Sequence, residues 1–262
     1  MVERNAPWPT GTPAWIGLAT DNPEAAAVFY GLLFGWDCEH QGARDYWLCK
    51  LDGEDVGGIG PKHPGTEHLP SRWTTFLATD HVERTAEAIA EHGGRVVLEP
   101  KDVPPHGRMA LAVDPNQAMF GLWQAADHIG IERRTEPGRL VWSEALSRRD
   151  DLATEFYTAV FGYQVEEFSG ATRDDRYADA RYAALYADDK PVAGAGEFHL
   201  DMPADTSPHW LPYFVTADTD ATVDQVQRTG GTLLGQPLDS DFGRLAVLQD
   251  PESAVFAVIQ LG

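Results

Sequence analysis

Cysteine is nearly absent from this chain: Cys38 and Cys49 stand alone among 262 residues. Two are too few for a Cys-rich zinc site. A pair of thiols in so long a chain points to a reducing compartment, and the chain reads as cytoplasmic. Basic residues are scarce as well, with 20 Lys and Arg against 41 Asp and Glu and a net charge of −21. Phosphate recognition needs concentrated Lys and Arg, so nucleic acid is not an expected partner. Anionic membrane surfaces are disfavoured for the same reason. No apolar run approaches a membrane span. Residues 1–10, with Glu3, Arg4 and two prolines, hold no apolar signal-peptide core. Also missing are Gly-x-Ser-x-Gly, a Gly-x-x-x-x-Gly-Lys phosphate loop and Gly-x-Gly-x-x-Gly after a strand. The glycine-rich Gly57-Gly58-Ile59-Gly60 matches none of these and reads as a bulge or a close backbone approach.

What is present is a duplication. Gly107-Arg108-Met109-Ala110-Leu111-Ala112-Val113-Asp114-Pro115, continuing to Phe120 and Gln124, returns as Gly243-Arg244-Leu245-Ala246-Val247-Leu248-Gln249-Asp250-Pro251, continuing to Phe256 and Gln260. Phe29-Tyr30 with Phe34-Gly35-Trp36 returns as Phe156-Tyr157 with Phe161-Gly162-Tyr163. A repeat of this kind means that one folded unit has been copied. At 43% hydrophobic and 10% aromatic residues, each half can bury a core of its own.

Each half divides again. Residues 15–20 alternate as a strand, and Asp21-Asn22-Pro23-Glu24 has the chemistry of a helix start: a capping residue, an early proline and an acidic first turn. Ala25, Val28, Phe29, Leu32 and Leu33 follow at helical spacing as an apolar stripe, and Gly35 ends the helix. Strands at 36–39, 46–51 and 56–60 follow. The same order returns with strand 73–79, helix 82–92 and strands at 95–99, 108–113 and 119–123. The second half repeats it again with helices 151–161 and 220–228. The expected result is an α+β protein of four βαβββ units, in two domains at 12–124 and 140–261 joined by a linker at 125–139. The second half is ten residues longer between Tyr163 and Trp210 than the first is between Trp36 and Trp73. The surplus falls in the polar stretch 169–181, a loop able to overhang a pocket. Helices on one face of a curved, mostly antiparallel sheet leave the other face as a concave cup, where a ligand would sit.

The paired βαβββ rhythm, the Phe-Tyr…Phe-Gly-Trp helix ending and the Gly-Arg…Asp-Pro…Phe…Trp-Gln ending resemble the glyoxalase/bleomycin-resistance/dioxygenase superfamily, also called the vicinal oxygen chelate fold. More narrowly the chain is similar to tandem two-domain glyoxalase-like proteins, some labelled hydroxylases. The resemblance covers residues 12–261. It implies a fold rather than one reaction, because the fold hosts isomerases, dioxygenases, thiol transferases and binding proteins. Metal-using members bring His, Gln or Glu from the first and last strands of two units onto a divalent ion that acts as a Lewis acid.

The four matching strands of the first half hold no His, Asp, Glu or Cys, and Gly121 stands where metal-using relatives carry a Glu. The second half offers Glu144, at the position matching Gly17, with Glu197, His199 and His209 nearby, but Ala257 replaces the terminal Glu. No cofactor is therefore expected, and Glu144, Glu197 and His209 are the ligands if a divalent metal binds the second domain. Glu144 is the leading catalytic candidate, as a carboxylate desolvated within an apolar cup. It could equally form an ion pair with Arg181 or Arg244. Trp15, Trp73, Trp123, Trp142, Tyr182, Trp210 and Tyr213 are the candidate ligand-binding residues, suited to flat aromatic or polycyclic molecules. Trp73 and Trp210 could instead face the helices as core. Arg108 and Arg244 read as fold-supporting salt bridges. The leading function is metal-free binding of a small molecule. The alternatives are a cofactor-free isomerase, lyase or hydroxylase using Glu144, and a metal-dependent glyoxalase I-like lyase or dioxygenase. The protein is expected as a monomer or homodimer, since duplication supplies within one chain the domain pair that single-domain relatives obtain by dimerising.

Overall fold

The computed structural model describes residues 4–42, 45–169, 181–198 and 206–262. The expected loop at 169–181 and His199 lie largely outside them. Among the described residues the chain forms sixteen strands and four helices in four successive units. The first unit is β1 (Pro13–Thr20), α1 (Pro23–Phe34), β2 (Asp37–His40), β3 (Trp47–Leu51) and β4 (Glu54–Pro61). The second is β5 (Arg72–Ala78), α2 (Val82–Glu91), β6 (Arg95–Val103), β7 (Gly107–Val113) and β8 (Met119–Ala125). The third is β9 (Leu140–Ser147), α3 (Asp150–Phe161), β10 (Gln164–Ser169), β11 (Arg181–Ala187) and β12 (Lys190–Glu197). The fourth is β13 (His209–Val215), α4 (Thr219–Arg228), β14 (Thr232–Ser240), β15 (Gly243–Gln249) and β16 (Val255–Leu261). Two eight-stranded sheets result, ordered β2-β3-β4-β1-β5-β8-β7-β6 and β10-β11-β12-β9-β13-β16-β15-β14. Hairpin neighbours are antiparallel, and the crossovers β1–β4, β5–β8, β9–β12 and β13–β16 are parallel.

Local chemistry places the elements. Asn22 caps α1 by accepting from the Ala25 amide at 3.1 Å, Pro23 occupies the first turn, and Gly35 closes the helix at φ 73°. Asp218 caps α4 through the Ala221 amide at 2.9 Å. The expected stripe on α1 is rotated in the structure. Val28 and Leu32 are 59% and 66% exposed, while Ala26, Ala27, Phe29, Tyr30 and Phe34 are buried. The rotation follows from Tyr30, whose hydroxyl has a buried partner to reach.

That partner lies in the other domain. Trp73 Nε1 donates to Tyr30 Oη at 2.9 Å, and Tyr30 donates to Asp250 Oδ2 at 3.0 Å. The duplicate relay runs from Trp210 Nε1 to Tyr157 Oη at 2.7 Å and from Tyr157 to Asp114 Oδ2 at 3.2 Å. Each aspartate also organises its own Asp-Pro turn, Asp114 accepting from the Ala118 amide and Asp250 from those of Glu252 and Ala254. Around the relays, Phe34 packs on Phe214 with ring centroids 4.9 Å apart, and Phe120 packs on Tyr157 at 5.4 Å.

Two large apolar clusters on the helix side each mix residues of both domains. Two further clusters on the opposite sheet faces each draw on one domain only, apart from the N-terminal Trp8. The helices are therefore packed between the sheets, and the two cups face away from each other.

Cys38 and Cys49 oppose one another across β2 and β3 and are joined as a disulfide. This corrects the reading of two reduced thiols. No described helix is long and apolar enough to cross a membrane. Arg108 pairs with Glu83 and Asp102, and Arg244 with Asp220 and Asp239, as fold-supporting bridges.

Replacing either relay tyrosine leaves a buried carboxylate short of a donor. Tyr30→Phe and Tyr157→Phe are each expected to lower unfolding stability by about 1–3 kcal/mol in urea titrations. An unchanged midpoint in both would remove the relays from any stabilising role.

Candidate functional site

Strand alternation sorts the predicted residues onto two faces. On β9, Trp142, Glu144 and Leu146 face the second cup, while Ala145 packs beneath them on the helix side. On β13, Leu211 and Tyr213 face the same cup. Trp210 opposes Ala145 and, like Trp73 opposite Leu18, lies against the helices. Trp73 and Trp210 are thus relay and core residues rather than cup residues. Trp15 and Trp123 line the first cup.

Glu144 is 5% exposed. Tyr213 donates its hydroxyl to Glu144 Oε1 at 2.6 Å, and Tyr182 also hydrogen-bonds the carboxyl. Trp142 Nε1 in turn donates to Tyr182 Oη at 2.7 Å. Tyr182 belongs to β11, two strands from β9, and reaches Glu144 by lying across β12. Gly194 makes this possible, since a Cβ there would come within 2.1 Å of Tyr182 Oη. Around this network stand Leu146, Phe198, Leu211, Leu245, Val247 and Ile259. Burial pushes the Glu144 carboxyl up to about 7, with the two tyrosine hydrogen bonds opposing it. The arginines expected as partners are engaged elsewhere, Arg181 with Glu197 at 3.2 Å and Arg244 with Asp220 at 2.9 Å.

The metal-ligand set does not converge. Glu197 opposes Ser147 on β9 and so lies on the face away from Glu144. His209 shares the face of Glu144 but stands opposite Leu146, with its Nδ1 against Ser207 O at 2.8 Å. Among the described residues no group of three or more His, Cys, Asp or Glu is placed to hold a metal ion. The described residues do not fit a divalent centre, because the carboxylate that would anchor it is already held by tyrosines.

The first cup is the apolar counterpart. Register puts Gly17, Phe76 and Gly121 where the second cup has Glu144, Tyr213 and Ala257. A Cβ on Gly121 would lie 2.1 Å from the Phe76 ring, so that ring fills the space a terminal-strand carboxylate would need. Tyr46 overlies Gly58 and Gly60 as Tyr182 overlies Gly194 and Gly196, and it hydrogen-bonds Trp15. The glycine-rich run thus allows a close ring-to-backbone approach. One polar pair was missed in sequence reading. His128 Nε2 lies 3.3 Å from Asp55 Oδ2, with the imidazole edge-on to Trp15 at 4.8 Å. Asp55 sits at the start of β4 just ahead of the expected strand, and His128 in the expected linker, so neither appeared on a cup strand.

The raised Glu144 carboxyl has a consequence for stability. The folded protein holds this proton between the ordinary value of 4.5 and about 7. The stabilisation is fully present below 4.5 and is lost as pH rises through 7, amounting to roughly 3 kcal/mol. Glu144→Gln is therefore expected to gain stability relative to the native protein between pH 5 and pH 8, measured by urea unfolding at both. A constant difference across that window would show that Glu144 does not bind a proton on folding.

Two family descriptions match the chain: "Glyoxalase/Bleomycin resistance protein/Dioxygenase superfamily" over residues 12–122 and "Glyoxalase-like domain" over residues 147–259. "Putative glyoxylase CFP32" of Mycobacterium tuberculosis is 38% identical over 256 residues, covering 95% of both chains. "Anthracycline biosynthesis protein DnrV" of Streptomyces peucetius is 32% identical over 266 residues, covering 96% of this chain and 94% of its own. Among solved structures, the Mn(II)-bound glyoxalase of Novosphingobium aromaticivorans aligns with a TM-score of 0.63 at 14% identity, covering 96% of this chain and 83% of that one. The 2,3-dioxygenase LapB of Pseudomonas sp. KL28 gives 0.63 at 14% identity, covering 97% and 93%. The two relatives align over nearly the whole chain, both halves included, and the two solved structures share its fold. The chain belongs to the glyoxalase/bleomycin resistance protein/dioxygenase superfamily, as a protein of two tandem glyoxalase-like domains.

Proposed function

We propose that the second cup binds a small, flat, aromatic or polycyclic molecule without a metal ion. The observation that carries this reading is Glu144: a buried carboxyl whose described partners are tyrosine hydroxyls, in a largely apolar cup edged by Trp142. Such a pocket excludes hydrated ions and rewards burial of a planar ring. The relative DnrV is named for anthracycline biosynthesis, and anthracyclines are flat polycyclic molecules, which supports the same ligand class. The first cup, filled by Phe76, is assigned a structural role.

A second reading is favoured by the titration of Glu144. A carboxyl poised near 7 changes protonation state at little cost around neutral pH, which suits a general acid or base. In that reading Glu144 takes or gives a proton at a ring or side-chain carbon, while Tyr182 and Tyr213 hold its carboxyl and stabilise the anionic form. The resulting activity is an isomerase or lyase step, in which the proton removed from one carbon is returned to another or leaves with an eliminated group, and the described residues need no cofactor for it.

The two domains, proposed to divide at 125–139, cover each other's helix faces within one chain, which supports a monomer as the working unit. Protein purified without chelators or an affinity tag is expected to carry far less than one divalent ion per chain by elemental analysis. It is also expected to show no thermal shift with Zn²⁺, Ni²⁺, Mn²⁺ or Fe²⁺. Near-stoichiometric metal that disappears in Glu144→Ala would overturn the reading and make the second domain a metal enzyme.

A further inference from the structure

His209 opens β13 opposite Leu146, on the face shared by Leu211 and Tyr213. Its ring stacks on Phe198, with centroids 5.6 Å apart and planes at 28°. The Arg148 guanidinium lies 5.3 Å from the centre of the same Phe198 ring. The imidazole tautomer follows from the hydrogen bond it makes. Ser207 O can only accept, so Nδ1, at 2.8 Å from it, carries the proton. Nε2 is then a lone-pair acceptor. It is buried and has no hydrogen-bond partner among the described residues. Desolvation holds the imidazole below its usual value, which keeps Nε2 unprotonated near neutral pH.

Buried polar atoms almost always find a partner, so an orphan on the face of the proposed binding cup is a place where a bound molecule can supply one. We propose that the second cup selects ligands that carry a hydroxyl or N–H donor on the edge of a flat apolar body, and that this donor is received by His209 Nε2. The proposal rests on the reading of this cup as a binding site and specifies its ligand. Leu211 opposes Glu144 and His209 opposes Leu146, so His209 and Glu144 are diagonal neighbours on adjacent strands. Their Cβ atoms are then about 7 Å apart, close enough for one small fused ring lying over the sheet to reach both side chains. One planar molecule can donate to His209 at one edge while presenting its body to Glu144 and Trp142. His209 is a specificity-determining residue in this arrangement: it accepts a proton-bearing edge and leaves a methylated one unpaired.

The test compares 2-naphthol with 2-methoxynaphthalene, two probes of the same flat body that differ in one donor, by isothermal titration calorimetry on the full chain. The native protein is expected to prefer naphthol by about tenfold or more, the usual consequence of leaving a buried acceptor unpaired. His209→Phe, which keeps the stack on Phe198, is expected to reduce the preference to near unity by weakening naphthol alone. His209→Gln, which retains an acceptor, is expected to keep part of it. A measurement on the unsubstituted protein guards against a variant that fails to fold: with ¹⁵N-labelled histidine, the His209 Nε2 resonance should move with naphthol and stay in place with the ether. Equal binding of both probes, an unmoved Nε2 resonance, or a preference abolished by Glu144→Gln but not by His209→Phe would each overturn the role of His209 and leave the cup reading standing. Failure of both probes to bind would overturn both.

Discussion

The architecture turns on two tyrosines that hydrogen-bond across the domain boundary. Tyr30 and Tyr157 each stand on a helix of one domain, accept from a tryptophan of that domain and donate to an aspartate of the other. Because both aspartates also organise an Asp-Pro turn, the relay ties the second unit to the third and the fourth to the first. Ring packing then closes around it, Phe34 on Phe214 and Phe120 on Phe156. Burying the helix faces against each other leaves each sheet one uncommitted face. The orientation of both cups is a consequence of that pairing.

Duplication under this constraint separates what can change from what cannot. The helix sides of the two domains keep Trp, Tyr and Asp at matching positions, since altering any one strands a buried partner. The cup sides carry no such mutual obligation and have diverged. Both retain a tyrosine lying over a pair of glycines and bonded to a first-strand tryptophan. Past that point Gly17, Phe76 and Gly121 make one cup a packed apolar surface, while Glu144, Tyr213 and Ala257 give the other a titratable carboxyl.

Periodicity and punctuation made the fold legible. Asn22-Pro23 and Gly35 bound a helix in sequence and in space, and the repeated Asp-Pro turns mark the same hairpin in both domains. Glu144 was visible because a carboxylate stands out at an otherwise apolar strand position, but whether an arginine or a tyrosine holds it depends on strands that pack beside it only in the fold. Trp73 and Trp210 were not assignable, because one residue of register moves a side chain to the other face, and their register depends on β1 and β9. The Cys38–Cys49 disulfide and the Asp55–His128 pair depend on which residues oppose across a hairpin or return from a distant segment. Neither follows from local pattern. The misplaced stripe on α1 has the same origin: Val28 and Leu32 are apolar, but the helix orients to bring Tyr30 to Asp250, a partner 220 residues away.

The Glu144 site sets two opposing terms against each other. Desolvation favours the neutral acid, while hydroxyl donors from Tyr182 and Tyr213 favour the anion, and the outcome lies near neutrality. A cation in place of either tyrosine would pin the carboxylate in its charged form and leave it a structural ion pair. A purely apolar surrounding would keep it protonated and inert as a base. Tyrosines do neither, since each can follow the carboxyl through a proton transfer by rotating its own hydroxyl. Among the described residues no cation is paired with Glu144, and Arg181 in the neighbouring strands pairs with Glu197 instead. A carboxyl kept adjustable in this way is fully hydrogen-bonded yet free of fixed charge, and among the described residues the one unpaired buried side-chain atom on its face of the sheet is His209 Nε2.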